Sequence, residues 1–455
     1  MTIDNETPVE LRSPGPAYSE ILEGDARRAP AHFFEESPLP PGPTTGPVER
    51  YTSRDWYETE KQRVWRQTWQ ATCREEHIPD VGDTYVYDIC DMSFLIVRSA
   101  ADEIKAYWNV CRHRGRQLQS EPCRTDVLRC PFHGFAWDLD GDLAFVPSEW
   151  DFPDLDRQEM RLIEVQVDTW AGFVFINPDP GAEALGDYLG EIVEHFEPWA
   201  LEDRYVEVHV AKVIEANWKA VQEAFMESFH VAATHPQQLV RLGDTNSQHD
   251  CYGNFNRSLH PSGIPSPLLD WAPTEQEMLD NMLDVREGEP SLVPLPEGAT
   301  LREFAAEIGR SSLRPAIGDR ADEISDAELV DAIEYSVFPN FHPWAAFQRV
   351  VYRFRPHQDR HDQTVMEVIM LSPFDGDRPA PAEPIWLDAA ASWTEAEVLG
   401  ITGRILDQDL YNLPKVQIGM RSAPMENLKL ASYQESRIRH FNELLDGYMN
   451  AGDTD

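Results

Sequence analysis

Two short metal-ligand arms constrain this chain more than any other feature. They are Cys111-Arg112-His113 and Cys130-Pro131-Phe132-His133, with 16 residues between them. Thiolate and imidazole both suit iron and zinc. Zinc fingers usually pair like with like, two Cys in one arm and two His in the other. Here each arm brings one Cys and one His. That mixed pairing suits a [2Fe–2S] cluster with two Cys on one iron and two His on the other, a ligation that lifts the reduction potential to about −150 to +300 mV. A structural zinc site, or four ordinary residues, are the plainer readings of the same pattern. The arms lie in a stretch that reads as short strands. Thr84-Tyr85-Val86-Tyr87, Phe94-Leu95-Ile96-Val97 and Ala106-Tyr107-Trp108 come first, then a turn signal at Asp138-Leu139-Asp140-Gly141-Asp142, and Gly172-Phe173-Val174-Phe175-Ile176 closes the run.

The residues around the arms carry a resemblance. Cys111-Arg112-His113-Arg114-Gly115 and Cys130-Pro131-Phe132-His133-Gly134-Phe135-Ala136-Trp137 resemble the two cluster-binding loops of Rieske proteins. Gly115 and Gly134 permit a tight loop backbone and close approach to the sulfurs. Phe132 stands where many relatives carry Tyr. The other cysteines, Cys73, Cys90, Cys123 and Cys251, have no such histidine partners and read as plain thiols.

A second constellation lies about a hundred residues downstream. Asn217-Trp218-Lys219 opens a segment that reads as a helix over 217–231, with Glu223, Glu227 and His230 spaced i, i+4, i+7 on one face. His235 follows, and Pro236 disfavours helical geometry at His235, so the chain can bend and bring both imidazoles to one metal. Two His and one carboxylate with open positions form the facial triad of non-haem Fe(II) oxygenases. The run from Asn217 through Glu227-Ser228-Phe229-His230 to His235-Pro236 resembles the catalytic iron motif of Rieske oxygenases, the aromatic-ring-hydroxylating dioxygenase α subunits. That resemblance covers roughly residues 50 to 450. It implies a third iron ligand in Leu406-Asp407-Gln408-Asp409, with Asp409 as the ligand and Asp407 as the nearest competitor. It also gives catalytic roles to Glu227 and Asn217. Glu227 stands where the family places an acid bridging two metal centres on neighbouring subunits, linking His230 to His133 of the partner subunit. Ring dioxygenases use Asp there, whereas Glu is more typical of relatives acting as monooxygenases or demethylases on non-aromatic amines. Ala224, where many relatives have Asn, is a further departure.

The expected fold class is α+β: a small β-rich Rieske [2Fe–2S] domain, then a larger α+β catalytic domain with an antiparallel sheet flanked by helices, of helix-grip type. The expected divisions are a flexible, proline-rich arm over 1–50, the Rieske domain over 51–180 and the mononuclear-iron domain over 181–455. Residues 262–325, rich in Pro, Gly and acids, read as an insertion or lid. Ser432 and Glu435 at capping-box spacing open a terminal amphipathic helix. Phe225, Phe229, Phe338, Phe341, Trp344 and Phe347 are candidates to line an apolar pocket or simply to fill a core.

Composition narrows the function. Acidic residues outnumber basic ones 80 to 39, for a formal charge of −41, which argues against tracking a nucleic-acid backbone. No apolar run approaches the length of a membrane span, and the N-terminus does not read as a secretory signal, so the cytoplasm is the expected location. The resemblance implies a terminal oxygenase with a [2Fe–2S] cluster and Fe(2+), using O2 to hydroxylate a small organic substrate, aromatic or otherwise apolar. No G-x-G-x-x-G fingerprint occurs, so NAD(P)H acts only through a separate reductase, with or without a ferredoxin. The implied assembly is a homotrimer or α3β3, with no nucleic-acid or membrane partner. The alternatives are a Rieske electron carrier without oxygenase chemistry, a monooxygenase or demethylase of a non-aromatic substrate, and a structural zinc protein.

Overall fold

The computed structural model describes residues 15–285 and 288–451, and its internal contacts divide the chain into two compact units. One unit comprises Tyr57–Tyr188 with Pro356–Arg360. The other comprises the described residues up to Trp56, Leu189–Arg355 and the chain from His361 onward.

The first unit is built on strands β1 (Gln70–Arg74), β2 (Asp83–Ile89), β3 (Met92–Ala100), β4 (Glu103–Trp108), β5 (Cys123–Arg124), β6 (Leu128–Arg129), β7 (Ala136–Trp137), β8 (Leu143–Phe145), β9 (Glu164–Trp170) and β10 (Phe173–Asn177). Seven of them form a sheet in the order β1-β10-β9-β4-β3-β2-β5, and β6-β7-β8 form a second, three-stranded sheet. The uninterrupted apolar run Phe94, Leu95, Ile96 and Val97 buries the middle of the central strand β3, these four residues each being 0% exposed. The turn expected at 138–142 forms as the sequence indicates. Asp138 Oδ1 accepts from the Asp140 and Asp142 amides, and Gly141 takes φ +80° where a Cβ would lie 2.7 Å from the Tyr107 ring. One Cys/His arm follows β4 and the other is the loop between β6 and β7.

The second unit holds β11 (Arg204–Ile214), β12 (Gln248–Cys251), β13 (Phe255–His260), β14 (Ala332–Val337), β15 (Phe341–Pro343), β16 (Val350–Pro356), β17 (Thr364–Pro373) and β18 (Ile385–Leu387) in the order β12-β13-β14-β15-β16-β17-β11-β18. Its helices include α1 (Trp218–Glu223), α2 (Val231–Thr234), α3 (Glu275–Met282), α4 (Leu301–Ile317), α5 (Ile401–Ser422) and α6 (Ser436–Asn450). The strand β11 pairs antiparallel with β17 and parallel with the edge strand β18. Val208, Val210, Ile214, Met366 and Val368 on one sheet face bury Leu406 and Leu413 of α5, which gives the expected grip of sheet on helix.

Four local expectations meet a different structure. The segment 217–231 is not one helix: α1 ends at Glu223, turns occupy the residues before His230, and α2 starts at Val231. Residues 262–325, read as an insertion or lid, carry more regular structure than their Pro, Gly and acid content suggests: α3 and the 17-residue α4 pack through Met278, Leu279 and Leu301. The terminal helix starts at Ser436 with Glu435 as N-cap, and the Glu435 carboxylate accepts from the Ala431 amide instead of closing a box with Ser432. The fourth concerns the expected arm. Residues 1–14 lie outside the described residues, but those from 15 onward are packed into the second unit. Phe33 is 0% exposed, Arg257 donates to the His32 and Glu35 carbonyls, and Thr45–Pro47 pairs with Asn427–Lys429. The prolines there set an extended path without preventing burial.

The arm is tied down by charge. Arg302 on α4 donates to both Asp25 oxygens, at 2.7 and 2.8 Å, and to Asp331, whose side chain is 0% exposed. Tyr18 donates to the same Asp331 at 2.9 Å. Replacing Arg302 by Met would strand a buried carboxylate, so we expect a loss of about 3 kcal/mol in urea unfolding. Part of that loss should return as the pH is lowered, because protonation relieves the stranded acids.

Candidate metal centre

The first unit presents its two Cys/His arms as near copies. The Cys111 carbonyl accepts from the Gly115 amide and its amide donates to the Arg116 carbonyl; the Cys130 carbonyl accepts from Gly134 and its amide donates to Phe135. Gly115 and Gly134 both take positive φ, +73° and +85°, which closes each loop on itself. Cys111 and Cys130 sit in the same core cluster as Leu128, Phe135 and Trp137, at 3% and 1% exposure. The His113 and His133 rings meet edge to face with centroids 4.9 Å apart.

The donor set fits a cluster of mixed ligation. His113 Nδ1 is buried without a hydrogen-bond partner among the described residues, which is costly for a ring nitrogen unless something else binds it. Burial, with a smaller push from the neighbouring Cys130 thiol, raises the Cys111 pKa, so a thiolate there needs a cation beside it. Among the described residues Cys73, Cys90, Cys123 and Cys251 form no disulfide.

The second unit brings His230, His235 and Asp409 together, with one ligand atom from each lying within 4.8 Å of the others. His230 caps the start of α2 and His235 its end, where φ −125° and ψ 50° bend the chain before Pro236. The bend that Pro236 favours turns His235 back towards His230, and the ring centroids stand 5.1 Å apart. Asp409 lies on the buried stripe of α5 with Leu406 and Leu413. Its Oδ1 is 2.9 Å from His235 Nε2 and 3.6 Å from His230 Nε2. Two ligands at right angles, about 2.1 Å from one metal, stand about 3 Å apart, which the 2.9 Å pair matches and the 3.6 Å pair exceeds.

The second ring nitrogens fix the orientation. His230 Nδ1 is 2.7 Å from Glu227 Oε1, and the His230 amide donates to Glu227 Oε2 at 2.9 Å. His235 Nδ1 is 2.8 Å from Gln408 Oε1, which also accepts from Gln237. Both Nδ1 atoms therefore carry the proton and both Nε2 lone pairs face Asp409. Burial works against a charged His230, yet Glu227 and then Asp409 outweigh it and raise its pKa. His230 is 26% exposed against 4% for His235, so the open side of the set is the His230 side.

These contacts sort the other candidates. Asp407 turns away, holding the Ser392 hydroxyl and the Trp393 amide. Asn217, expected to be catalytic, is the N-cap of α1: its Oδ1 accepts from the Lys219 amide and its Nδ2 donates to the His361 carbonyl. Glu223 bonds the Tyr51 hydroxyl, and burial raises its pKa to about 7. Of the six aromatic candidates, Phe338 and Phe341 are core, Phe229 is 58% exposed, and Phe347 lies under Arg204. Phe225 and Trp344 remain partly open beside the core cluster that holds Tyr352 and Phe354. Gln408 was not read from the sequence, though its place next to Asp409 on a helix was a usable signal.

Comparison with known proteins identifies the two domains. The chain matches the family models Rieske [2Fe-2S] domain over residues 68–156 and Ring hydroxylating alpha subunit (catalytic domain) over residues 193–451. It is 30% identical to the carnitine monooxygenase oxygenase subunit of Escherichia coli K12 over 215 residues, 46% of this chain and 57% of that protein. It is 32% identical to the glycine betaine monooxygenase oxygenase subunit of Pseudomonas aeruginosa over 197 residues, 43% and 46% of the two chains. The matched stretches span about half the length of these relatives. Among solved structures, a quaternary ammonium Rieske monooxygenase in complex with L-carnitine superposes with TM-score 0.62 at 18% identity, covering 89% of this chain and 95% of that one. A naphthalene 1,2-dioxygenase with indole bound gives TM-score 0.61 at 19% identity, over 91% and 93%.

The two centres use separate segments, so their metals should be separable. Replacing His230, His235 or Asp409 by Ala should abolish mononuclear iron by metal analysis and leave the visible and EPR spectrum of the cluster unchanged. Asp407→Ala should keep both. Full mononuclear iron in Asp409→Ala would overturn the choice between the acids.

Proposed function

The chain belongs to the ring-hydroxylating α-subunit family of Rieske oxygenases, and on that premise we propose that it is a terminal oxygenase whose substrate carries a quaternary ammonium group. The observation that carries the oxygenase reading is the convergence of two Nε2 atoms and one carboxylate oxygen with an open side at His230. Bound there, the iron would supply O2 activation, and the cluster one-electron storage.

This chain's own residues do the holding. Cys111, His113, Cys130 and His133 would bind the cluster. His230, His235 and Asp409 would bind the iron, with Glu227 and Gln408 keeping each imidazole in the tautomer that offers Nε2. Glu227 keeps one oxygen on the ring nitrogen and one on the backbone amide of His230. It can therefore take up or release charge at that ring without leaving it. Electrons would come from a separate reductase, because no dinucleotide fingerprint occurs in the sequence. An assembly of several copies is part of this reading.

The substrate class rests on two supports. The relatives named above act on carnitine and glycine betaine, and a choline monooxygenase of spinach matches at 27% identity over 217 residues. Glu227, in place of Asp, agrees with amine-oxidising relatives. An arene remains the second reading, favoured by the fold it shares with naphthalene dioxygenase. The deciding experiment supplies a promiscuous reductase and NADH with choline, glycine betaine, carnitine, naphthalene and indole, and identifies the products. Oxygenation of the quaternary amines is expected; a cis-diol from an arene with untouched amines would overturn the substrate class.

Glu227→Gln tests the link between centres. It should retain full iron and a normal cluster spectrum, because Glu227 is placed on neither metal. Single-turnover oxidation of the pre-reduced cluster by O2 with substrate should slow by about 10- to 100-fold. Oxidation at the wild-type rate would reduce Glu227 to an orienting role.

A further inference from the structure

The sheet of the second unit places one carboxylate that neither metal centre uses. Glu334 on β14 pairs with Ser258 of β13 on one side and bridges Trp344 on the other. His342 of β15 pairs with Tyr352 of β16. Residues opposed across strands, and those two apart along one strand, share a face of a sheet. Glu334, Trp344 and Tyr352 therefore stand on the same face. The Trp344 and Tyr352 rings meet edge-on at 6.0 Å, and Phe225 approaches Tyr352 at 4.9 Å. Tyr352 packs in the core cluster that includes Leu406 and Leu413, which flank Asp409 on α5. The face therefore borders the helix that carries Asp409.

Glu334 engages its neighbours through one oxygen, Oε2, while Oε1 meets no partner among the described residues. His260 Nε2 and Arg437 Nη1 form ion pairs with that Oε2, each at 3.6 Å, longer than a direct hydrogen bond. Arg437 also donates to three neutral acceptors: Asn256 Oδ1 at 2.8 Å, Ser258 Oγ at 2.7 Å and Ser336 Oγ at 2.6 Å. His260 Nδ1 lies 2.7 Å from Ser247 Oγ. Arg437 is 0% exposed and His260 3%, while Glu334 is 15% exposed, so the buried polar network opens at this carboxylate. Burial alone would raise its pKa, but His260 and then Arg437 hold it below the ordinary glutamate value. It stays ionised at neutral pH.

We propose that Glu334, with the Trp344 and Tyr352 rings, forms the subsite that binds the cationic head of the substrate and selects it over a neutral group of the same shape. This rests on the quaternary ammonium reading above. A quaternary nitrogen has no N–H to donate, so directional acceptors gain nothing from it. A net negative charge and aromatic faces are what attract it. Among the described residues of this face, the open carboxylate beside two rings supplies both.

The test compares binding of choline with that of 3,3-dimethylbutan-1-ol, its neutral isostere, by calorimetric titration of the fully loaded oxygenase. Wild-type protein should prefer choline at least about tenfold. In Glu334→Gln choline affinity should fall about tenfold while the neutral compound binds as before, with metal content and the cluster spectrum unchanged. An undiminished preference for choline would overturn the subsite. Should Glu334→Gln fail to fold, Trp344→Leu carries the same test, since an aliphatic side chain keeps the bulk and loses the ring: an unchanged preference in that variant also overturns it. The two readings fail differently. A wild type that oxygenates neutral arenes and ignores every quaternary amine defeats the substrate class. One that oxygenates the amines while both variants keep their selectivity defeats only the assignment of Glu334.

Discussion

Asp409 Oδ1 lies 2.9 Å from His235 Nε2, two lone-pair donors pointed at one another inside the protein. Such an arrangement is unfavourable without a cation between the donors, and the rest of the second unit is the scaffold that holds it. α5 carries Asp409 in because Leu406 and Leu413, one turn to either side, bury against the sheet. His235 is carried in by the bend before Pro236, and His230 by the Glu227 carboxylate that grips both its ring and its amide. Removing any of these supports would let the donors relax apart.

The chain has a formal charge of −41, yet its interior is ordered by buried arginines. Arg302 ties Asp25 to Asp331, Arg310 bonds Asp326, Arg257 bonds Asp250, and Arg437 fans out to Asn256, Ser258 and Ser336. Planar guanidinium groups reach several acceptors at once, which lets one side chain join strands and helices far apart in sequence. The acidic excess therefore describes the surface, while these pairs fix how the arm, α4 and the sheet meet. The same network pairs with Glu334 Oε2 and leaves its Oε1 without a partner among the described residues.

Much of the first unit was legible because its chemistry is local. The two arms are short loops, the glycines four residues after Cys111 and Cys130 close them, and the apolar run at 94–97 could only be an interior strand. The second unit was legible at its ligands and less so between them. A helix over 217–231 was the natural reading of Glu223, Glu227 and His230, yet the chain breaks after Glu223. Glu227 reaches His230 from a turn, with a geometry that helical spacing does not supply. The proline-rich arm looked unable to order because its apolar residues are sparse. Phe33 and the backbone carbonyls that meet Arg257 and Arg439 needed partners more than two hundred residues away to show otherwise.

By itself the sequence determined the kinds of ligand and their grouping. Cys and His at short spacing, and two His around a proline, constrain local backbone so tightly that few other chemistries fit them. Tertiary structure decided everything that depends on long-range convergence. Asp409 faces the histidines and Asp407 holds the Ser392 hydroxyl and the Trp393 amide, since residues two apart on a helix point to different sides. Gln408 reaches His235 across 173 positions, and Asn217 proves to be a cap. Glu334 meets Trp344 only through strand register. Spacing along the chain fixes what a loop can hold; the packing of sheet against helix fixes which distant side chains share that space.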